Sequence, residues 1–315
     1  MARRILLRVS VGLVTLFAAS LIVFVGTESL PGDAAQAALG NTATPQLLAQ
    51  YRKDFNLNRP VLTRYFDWLS GLPEGDFGKS LPSGQSVSSI VADKIRNTAV
   101  LAGITMLILI PLSIGLGTLS AVHRDRAVDH GVTGTTLLLI ATPEFVVGTL
   151  LALLLGVWLH VLPPVSLIDP SRSIVSQPKI LILPILTLLA AIAAQTTRMV
   201  RACMIDVLQS EYVQMARLKG VPEWRVLLRH ALPNALGPAI QVLAMNVAWL
   251  AGGVVIVEAV FQYPGIGLEL THAVGARDLA TVEVLAVLIT GVYVLGNLVA
   301  DIGVMLLNPR LRRAG

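Results

Sequence analysis

Long apolar stretches alternate with shorter polar segments along most of this chain. A membrane-spanning helix needs about 20 consecutive apolar residues, and stretches of that length recur throughout the sequence. We predict six spans, at about 8–27, 97–122, 132–159, 180–203, 236–258 and 279–307. Their length and their Leu, Ala and Val content favour helices over a β-barrel. The pattern therefore predicts an all-α integral membrane protein with a single transmembrane domain that covers residues 1–315.

Composition supports this prediction. Hydrophobic residues make up 54% and charged residues 14% of the 315 residues, and the mean hydropathy is +0.73. A soluble domain has about 25% charged residues. The formal charge of +5 would suggest nucleic acid for a soluble protein, but beside so many apolar spans it indicates contact with membrane lipid and no nucleic acid. The single cysteine, Cys203, excludes an intrachain disulfide.

The placement of the basic residues predicts how the chain crosses the membrane. Most of them lie before the first span, between the second and third, around the segment after the fourth, and after the last: Arg3, Arg4, Arg8, Arg124, Arg126, Arg198, Arg201, Arg217, Lys219, Arg225, Arg229, Arg310, Arg312 and Arg313. The two short alternate loops hold only Arg172, Lys179 and Arg277. Because short loops rich in Lys and Arg stay in the cytoplasm, we expect a multi-pass protein whose N- and C-termini and 204–235 loop are cytoplasmic.

Residues 28–96 form a long segment that we expect on the extracytoplasmic side. Thr44 followed by Pro45 predicts a helix start, and Pro60 opens a second helix. Apolar positions recur at helical spacing in both, at Leu47, Leu48, Tyr51 and Phe55, and then at Leu62, Phe66 and Leu69 with Tyr65 and Trp68 beside them. We therefore predict short amphipathic helices at the outer surface of the membrane, between the first two spans. The first span exceeds the 7–15 apolar residues of a signal peptide, which favours an uncleaved helix.

A basic segment that is too polar for lipid lies between the fourth and fifth spans. It runs from Glu211 to Pro233 and reads EYVQMARLKGVPEWRVLLRHALP. A helical pattern extends to Gly220, which tolerates the positive φ that ends many helices, and Pro222 suits the first turn of a second helix. Ala216 lies four residues before Gly220, on the same helical face. The segment therefore predicts a helix-turn-helix elbow that projects from the membrane.

The spacing of this elbow resembles the cytoplasmic loop of ABC importer permease subunits, which reads Glu-Ala-Ala, three residues, Gly, nine residues, Ile-x-Leu-Pro. Ala216, Gly220 and Leu232-Pro233 match that pattern, whereas the chain departs from it at Gln214, Met215 and His230. The amino-acid sequence of the elbow is most similar to that of the dipeptide, oligopeptide and nickel branch of these permeases, and within that branch to the first of the two permease types. The phrases GDFGKS at 75–80 and VEAVF followed by PGIG at 257–267 also resemble that branch.

The resemblance implies a fold like that of type I ABC importer permeases, in the bacterial cytoplasmic (inner) membrane. It implies a subunit that translocates peptides or a related solute and is not an enzyme, because partner subunits bind ATP and this chain holds no cofactor. The implied partners are a second homologous permease subunit, two cytoplasmic ATPase subunits or one fused pair, and an extracytoplasmic substrate-binding protein. In the family the elbow docks onto the ATPase, and the residues expected to serve this coupling are Ala216, Arg217, Gly220, Arg225, Arg229, Leu232 and Pro233.

Two interpretations of the elbow can be compared on its residues. Its charges alone fit a loop held near anionic lipid. The combined spacing favours docking, in which Ala216 and Gly220 would let a partner's backbone approach closely. Arg225 and Arg229, four residues apart, would then offer a basic face to the partner.

Three acidic residues fall within predicted spans, where an ionisable group is costly and usually faces the protein interior. Glu144 follows Pro143; it either faces the translocation path and contacts a cationic or amine-bearing substrate, or is a paired or snorkelling carboxylate near the outer edge. Glu258, at the outer mouth, either contacts the docked binding protein or caps local backbone. Asp301 and Asn297 are predicted to form an interhelical hydrogen-bond cluster rather than part of the translocation path. We predict no catalytic residue and no metal site, because the five histidines show no ligand spacing.

The alternative class of function is an ion-gradient-driven secondary transporter. It would require matching halves with broken helices and convergent carboxylates in the membrane, and the sequence shows neither. Within the importer class, a nickel or glutathione-type substrate is the alternative to a dipeptide or oligopeptide.

Overall fold

The computed structural model of the protein describes residues 2–29, 34–39, 43–169 and 171–307. Within these ranges the chain is helical, apart from loops and an isolated β-bridge between Lys79 and Ser86. The α-helices are, in chain order, α1 (Ala2–Glu28), α2 (Ala34–Leu39), α3 (Pro45–Asp54), α4 (Val61–Gly71), α5 (Val87–Val122), α6 (Ala127–Ala141), α7 (Glu144–Leu151), α8 (Pro178–Leu208), α9 (Glu211–Leu218), α10 (Glu223–Arg225), α11 (Leu232–Phe261), α12 (Ile266–Gly275) and α13 (Leu279–Leu307). A π-helical segment continues α7 over Ala152–Trp158, and another continues α10 over Val226–Ala231.

The central helix of this arrangement is α8. In its most apolar stretch 67% of the residues are buried, against 11% in α1 and 22% in α5 and in α13. The helices α5, α6, α7 and α11 pack around α8, while α1 packs on α13 and α13 packs on α11. A Cβ atom at Gly117 of α5 would lie 2.6 Å from the Cβ of Val200 and 2.8 Å from the carbonyl oxygen of Thr197, both on α8. Glycine therefore lets these two helices approach closely.

The number of spans depends on how two bent helix pairs are counted. Single helices long and apolar enough to cross a bilayer are α1, α5, α8 and α13, and the bent pairs bring the number within the described residues to six if each is one span. In the first pair, the axis of α6 makes an angle of 106° with that of α7 together with its π-helical continuation. In the second pair, the last part of α11 makes an angle of 76° with α12. The architecture is that of a polytopic helical membrane protein, as the apolar pattern predicts.

The predicted span at 132–159 corresponds to α6, α7 and the continuation of α7, with a bend between α6 and α7. Between α6 and α7, Thr142 and Pro143 are extended, with ψ angles of 124° and 142°. A proline has no N–H for the helical ladder and disfavours the helical conformation in the residue before it. By contrast, Pro111 and Pro184 lie within α5 and α8 without ending either helix. The break places Glu144 at the first position of α7.

The two short helices predicted in the segment between α1 and α5 are present as α3 and α4. Thr44 caps α3 by accepting a hydrogen bond from the Leu47 N–H at 3.3 Å, and Pro45 follows it. Tyr65 of α4 is buried against α1, where its hydroxyl lies 2.8 Å from that of Ser20. The predicted apolar face of α4 points the other way, since Leu62 and Phe66 are exposed. Tyr65 therefore fixes α4 to α1, and the side chains of Leu62 and Phe66 are left for other contacts.

The GDFGKS phrase forms a turn that joins this segment to α13. Gly75 and Gly78 have φ angles of +78° and +76°, which glycine adopts without strain. The Leu81 N–H, just after the phrase, donates to the carboxylate of Asp278 at 3.0 Å, directly before α13. The phrase thus has a local structural role.

Candidate coupling elbow and membrane groove

The elbow has the predicted helix-turn-helix form. After α9, Gly220 has a φ of +76°, its N–H donates to the Arg217 carbonyl at 2.9 Å, and the Val221 N–H donates to the Ala216 carbonyl at 3.2 Å. Such bonds across a left-handed residue end many helices. Pro222 directly precedes α10, and Pro233 lies in the first turn of α11, where the chain re-enters an apolar helix. A Cβ at Gly220 would meet no atom within 4 Å, so the requirement for glycine comes from the φ angle.

A small apolar core holds the elbow to the end of α8. Val213, Ala216 and Val226 are buried together and pack against Val207 and Leu208. The Ala216 side chain packs inside this core, and its small size lets α9 approach the segment after Pro222. That Ala216 lets a partner's backbone approach closely stays a prediction. The core joins α9 to the end of α8 by direct packing.

The outer side of the elbow combines charged and apolar side chains. Arg217 and Glu223 form an ion pair at 2.5 Å across the turn, so Arg217 braces the elbow. The hydrogen bond from Arg217 holds the pKa of Glu223 below its usual range. The guanidinium carbon of Arg225 lies 5.2 Å from the centre of the Trp224 ring, and Arg229 is exposed. Five large apolar side chains of the same segment are also exposed: Tyr212, Met215, Leu218, Trp224 and Leu228.

A buried ion pair ties α6 to α8 near the elbow. Asp129 is 2% exposed, and its two carboxylate oxygens accept hydrogen bonds from Arg201 Nε and Nη2, each at 2.6 Å. The Ser120 hydroxyl donates to the same carboxylate at 2.5 Å, and the Asp125 N–H donates at 2.9 Å. Such a bidentate pair is directional and strong. It joins the turn between α5 and α6 to α8, seven residues before that helix ends at Leu208.

At the other end of the bundle a second polar cluster, which we name the Glu258 clasp, joins α5, α11 and α12. Glu258 is fully buried; it accepts hydrogen bonds from the Thr98 hydroxyl at 2.6 Å and from the Gly267 and Leu268 N–H groups at 2.7 and 3.3 Å. Thr98 in turn accepts from the Ile266 N–H at 2.9 Å. Of the two roles that the sequence left open, the geometry corresponds to capping of local backbone. A side chain with no exposed surface is not placed to contact a docked binding protein.

Two further bonds and two glycines complete the Glu258 clasp. The Tyr263 hydroxyl donates to the Asn97 carbonyl at 2.7 Å, and the Asn97 amide donates to the Pro264 carbonyl at 2.9 Å. A Cβ atom at Gly265 would overlap the carboxylate of Glu258, and one at Gly267 would overlap the backbone of α11. The phrase from 257 to 267 is therefore a packing motif, in which glycines allow the carboxylate to reach the start of α12.

Three polar side chains lie along what we name the groove, the open depression where α6 and α7 face α8. Glu144 and Gln195 line a cavity of about 570 Å³, with Trp249 at its side. Gln195 and Arg198 line an adjoining cavity of about 380 Å³. Among the described residues, none forms a side-chain hydrogen bond or ion pair with Glu144, Gln195 or Arg198. This differs from α8's inner side, where the Asn246 amide donates to the Thr196 hydroxyl at 2.7 Å.

The last acidic residue from the sequence has a different partner from the expected one. Asp301 forms an ion pair with Arg8, which joins α13 to α1. Asn297 donates to the Tyr293 carbonyl of its own helix at 3.0 Å. The predicted Asn297–Asp301 cluster is therefore wrong in its members, although Asp301 does join two helices.

Comparison with known proteins decides the family. The family model described as binding-protein-dependent transport system inner membrane component matches residues 113–313, and a model of the N-terminal part of such membrane components matches residues 1–102. The chain belongs to this permease family.

Three similar proteins cover nearly the whole permease. It is 32% identical to a probable peptide ABC transporter permease protein of Sinorhizobium fredii, over 93% of each chain. It is 32% identical to an oligopeptide transport system permease protein of Bacillus subtilis, over 99% of each chain. It is 33% identical to the glutathione transport system permease protein of Escherichia coli, over 95% of each chain.

Membership fixes what kind of protein the permease is. It is a multi-pass inner-membrane subunit of an ABC importer and not an enzyme; ATP hydrolysis takes place in partner ATPase subunits, and a substrate-binding protein delivers the solute. The alternative of an ion-gradient-driven carrier is not favoured.

Sequence reasoning missed the partners that make the polar clusters of the permease. Asp129 stands at the start of an apolar stretch, where an ionisable residue is costly unless paired, and this signal indicates a partner without identifying it. Thr98 falls at the start of the predicted second span, and its bond to Glu258 joins residues 160 positions apart. Gln195 carries a usable signal, because an amide side chain in the middle of an apolar span needs a partner or water.

Proposed function

We propose that this chain is one permease subunit of a peptide importer, in which it pairs with a second, similar permease and docks onto two ATPase subunits through residues 211–233. The similar proteins are described as permeases for peptides, oligopeptides and glutathione, which supports a peptide-like solute over a nickel chelate. In this arrangement the elbow and both termini are cytoplasmic. The distribution of Lys and Arg supports that orientation.

The exposed apolar surface of the elbow carries the docking proposal. Leu218 is 82% exposed, the highest value for a large hydrophobic side chain among the described residues, and Met215 and Trp224 are exposed near it. These side chains lie in a polar segment outside the spans, where lipid does not cover them. Apolar side chains gathered on such a surface mark a protein contact. Leu218, Met215 and Trp224 therefore join Arg225 and Arg229 as the proposed contacts, while Ala216, Arg217 and Gly220 shape the elbow from within.

Movement of the ATPases would reach the membrane through α8. The elbow core binds α9 to Val207 and Leu208 at the end of α8, and Arg201 binds α8 to Asp129 of α6. Because α8 is one helix from Pro178 to Leu208, a displacement of the elbow shifts it as a rigid element. The groove between α6, α7 and α8 lies on that element.

The test replaces Leu218 by Asp in the whole complex. Since the side chain is exposed, we expect the permease to fold and to insert normally. The ATPase subunits should be lost on purification from membranes, and ATP-driven peptide uptake by proteoliposomes should fall about tenfold or more, as for the loss of a central interface contact. The matched control is Leu167→Asp, in the loop between α7 and α8, where the Leu167 side chain is 75% exposed. This substitution should leave both the retention of the ATPase subunits and the peptide uptake unchanged. Equal retention of the ATPases and equal uptake in the two variants would contradict docking through the elbow.

A further inference from the structure

We propose that the groove is this subunit's share of the peptide path and that it contacts both charged ends of a zwitterionic peptide, Glu144 the ammonium group and Arg198 the carboxylate. This inference rests on the proposed function and adds a residue pair and a substrate chemistry to it. Gln195, which lines both cavities, lies between the two charged side chains.

The first support is the contrast in partners. Glu258, Asp129 and Asn246 also lie in membrane helices, and each is hydrogen-bonded within the chain. Among the described residues, Glu144, Gln195 and Arg198 have no such partner. A charged or amide side chain that faces lipid without a partner is unfavourable by several kcal/mol. Three of them in one groove therefore indicate water or a polar ligand rather than lipid.

The second support is the position of Arg198 relative to Arg201. Arg201 is the basic residue of α8 closest to the end of that helix, one turn beyond Arg198. Its guanidinium is already satisfied by the ion pair with Asp129. Arg198 lies ten residues before Leu208 and lines the cavity with Gln195. A snorkelling arginine can reach the headgroups with its long side chain, but the shorter amide of Gln195 on the same face has no such route.

The third support is the length of the groove. Ala191 of α8 lines the cavity beside Glu144, and Arg198 follows seven residues later, about 10 Å further along the helix. Extended peptide spans about 3.3–3.6 Å per residue, so a tripeptide has a similar length. The planar guanidinium of Arg198 suits a carboxylate, to which it can donate two parallel hydrogen bonds.

Thiol chemistry tests whether the groove is open to water, and this test does not depend on a transport measurement. The permease has a single cysteine, so Cys203→Ser gives a cysteine-free background in which Gln195→Cys is the only thiol. A membrane-impermeant methanethiosulfonate reagent attacks thiolates, which form in water and not in lipid. In the full complex we expect Gln195→Cys to react and to be protected by peptide-loaded binding protein. The control Leu107→Cys, at a side chain 74% exposed on α5, should stay unreactive. Equal lack of reaction at both positions would overturn the path.

The charge assignment is tested with matched peptides. One tripeptide is used with a free and with an amidated C-terminus, after calorimetry has shown that the binding protein holds both forms. For Arg198→Gln we expect the maximal uptake rate of the free form to fall about tenfold, the effect of a lost charge-assisted hydrogen bond, and that of the amide to change less than about twofold. An equal fall for both would show a structural or snorkelling role and overturn the assignment. If the unchanged complex transports neither peptide, the proposed function fails, whereas the thiol result still reports on the path.

Discussion

The Glu258 clasp and the groove both place a carboxylate among membrane helices, and they differ in how that carboxylate is satisfied. In the clasp, Glu258 is buried and accepts three hydrogen bonds from the chain itself. In the groove, Glu144 is half-exposed and its side chain has no hydrogen bond or ion pair with any described residue. A closed network of this kind stabilises one arrangement of helices. A side chain without a partner in the chain is available to a ligand. Whether a polar side chain has such a partner is therefore more informative about its role than its depth in the membrane.

The largest effect is expected from crowding the Glu258 clasp. In Gly265→Val the new side chain would occupy the space of the Glu258 carboxylate and the Thr98 hydroxyl. The carboxylate would lose its bonds to α12, which destabilises by about 3 kcal/mol or more. We expect a large loss of folded permease in fluorescence-detected size-exclusion chromatography. Gly103→Val, where a Cβ meets no atom within 4 Å, is the control. Similar yields of the two variants would remove the distinction between a closed clasp and open surface.

The next largest effect is expected from breaking the Asp129–Arg201 ion pair. Asp129→Ala leaves a partly buried guanidinium without its partner and frees the Ser120 hydroxyl. Removing one member of a buried pair destabilises by about 3–5 kcal/mol, and the partial exposure of Arg201 places the expected loss at the lower end. Thermal unfolding in detergent measures it. A midpoint equal to that of the parent would mean that α6 and α8 are held together by other contacts.

A smaller, pH-dependent effect is expected at the Arg217–Glu223 pair of the elbow. Because Arg217 lowers the pKa of Glu223 in the folded state, the pair stabilises the elbow above the ordinary glutamate pKa of about 4.3 and loses that contribution as the pH falls through the lowered pKa. Both side chains are about half exposed, so the contribution is only about 0.2–1 kcal/mol. The difference in stability between the parent and Glu223→Gln should be present near about pH 7 and shrink as the pH falls below about 4. A difference that grows with acid would contradict this sign.

The smallest effect on stability is expected in the groove. Gln195→Ala removes a side chain that no described residue bonds, so the free energy of unfolding should stay within about 0.5 kcal/mol of the parent's, as is usual for exposed positions. Peptide uptake should nevertheless fall, because the amide lies between the two proposed contacts. Loss of stability as large as in the clasp variants would mean that Gln195 is a packing residue.

The sequence predicts the parts of this fold that depend on local chemistry. The apolar stretches, the turn at Gly220 and the capped start of α3 at Thr44 follow from residue types within a few positions of one another. Pro143 indicates that a helix can bend there, but it does not indicate a change of 106° in direction, because packing sets that angle. The bonds of Thr98 to Glu258 and of Arg201 to Asp129 join distant positions, and nothing local specifies them. Ala216 shows the same limit, since its spacing indicates a helical face but not which residues that face packs against.

The most direct test of force transfer from the elbow to the groove follows thiol reactivity through the ATP cycle. In the complex with Gln195→Cys as the only thiol of the permease, the rate at which the permease itself reacts with the hydrophilic reagent is compared between the nucleotide-free and the vanadate-trapped state. We predict a change of about tenfold or more, as expected when a path opens to one side or closes, and loss of that change when Leu218→Asp is added. The same change in both complexes, or no change in either, would contradict the account.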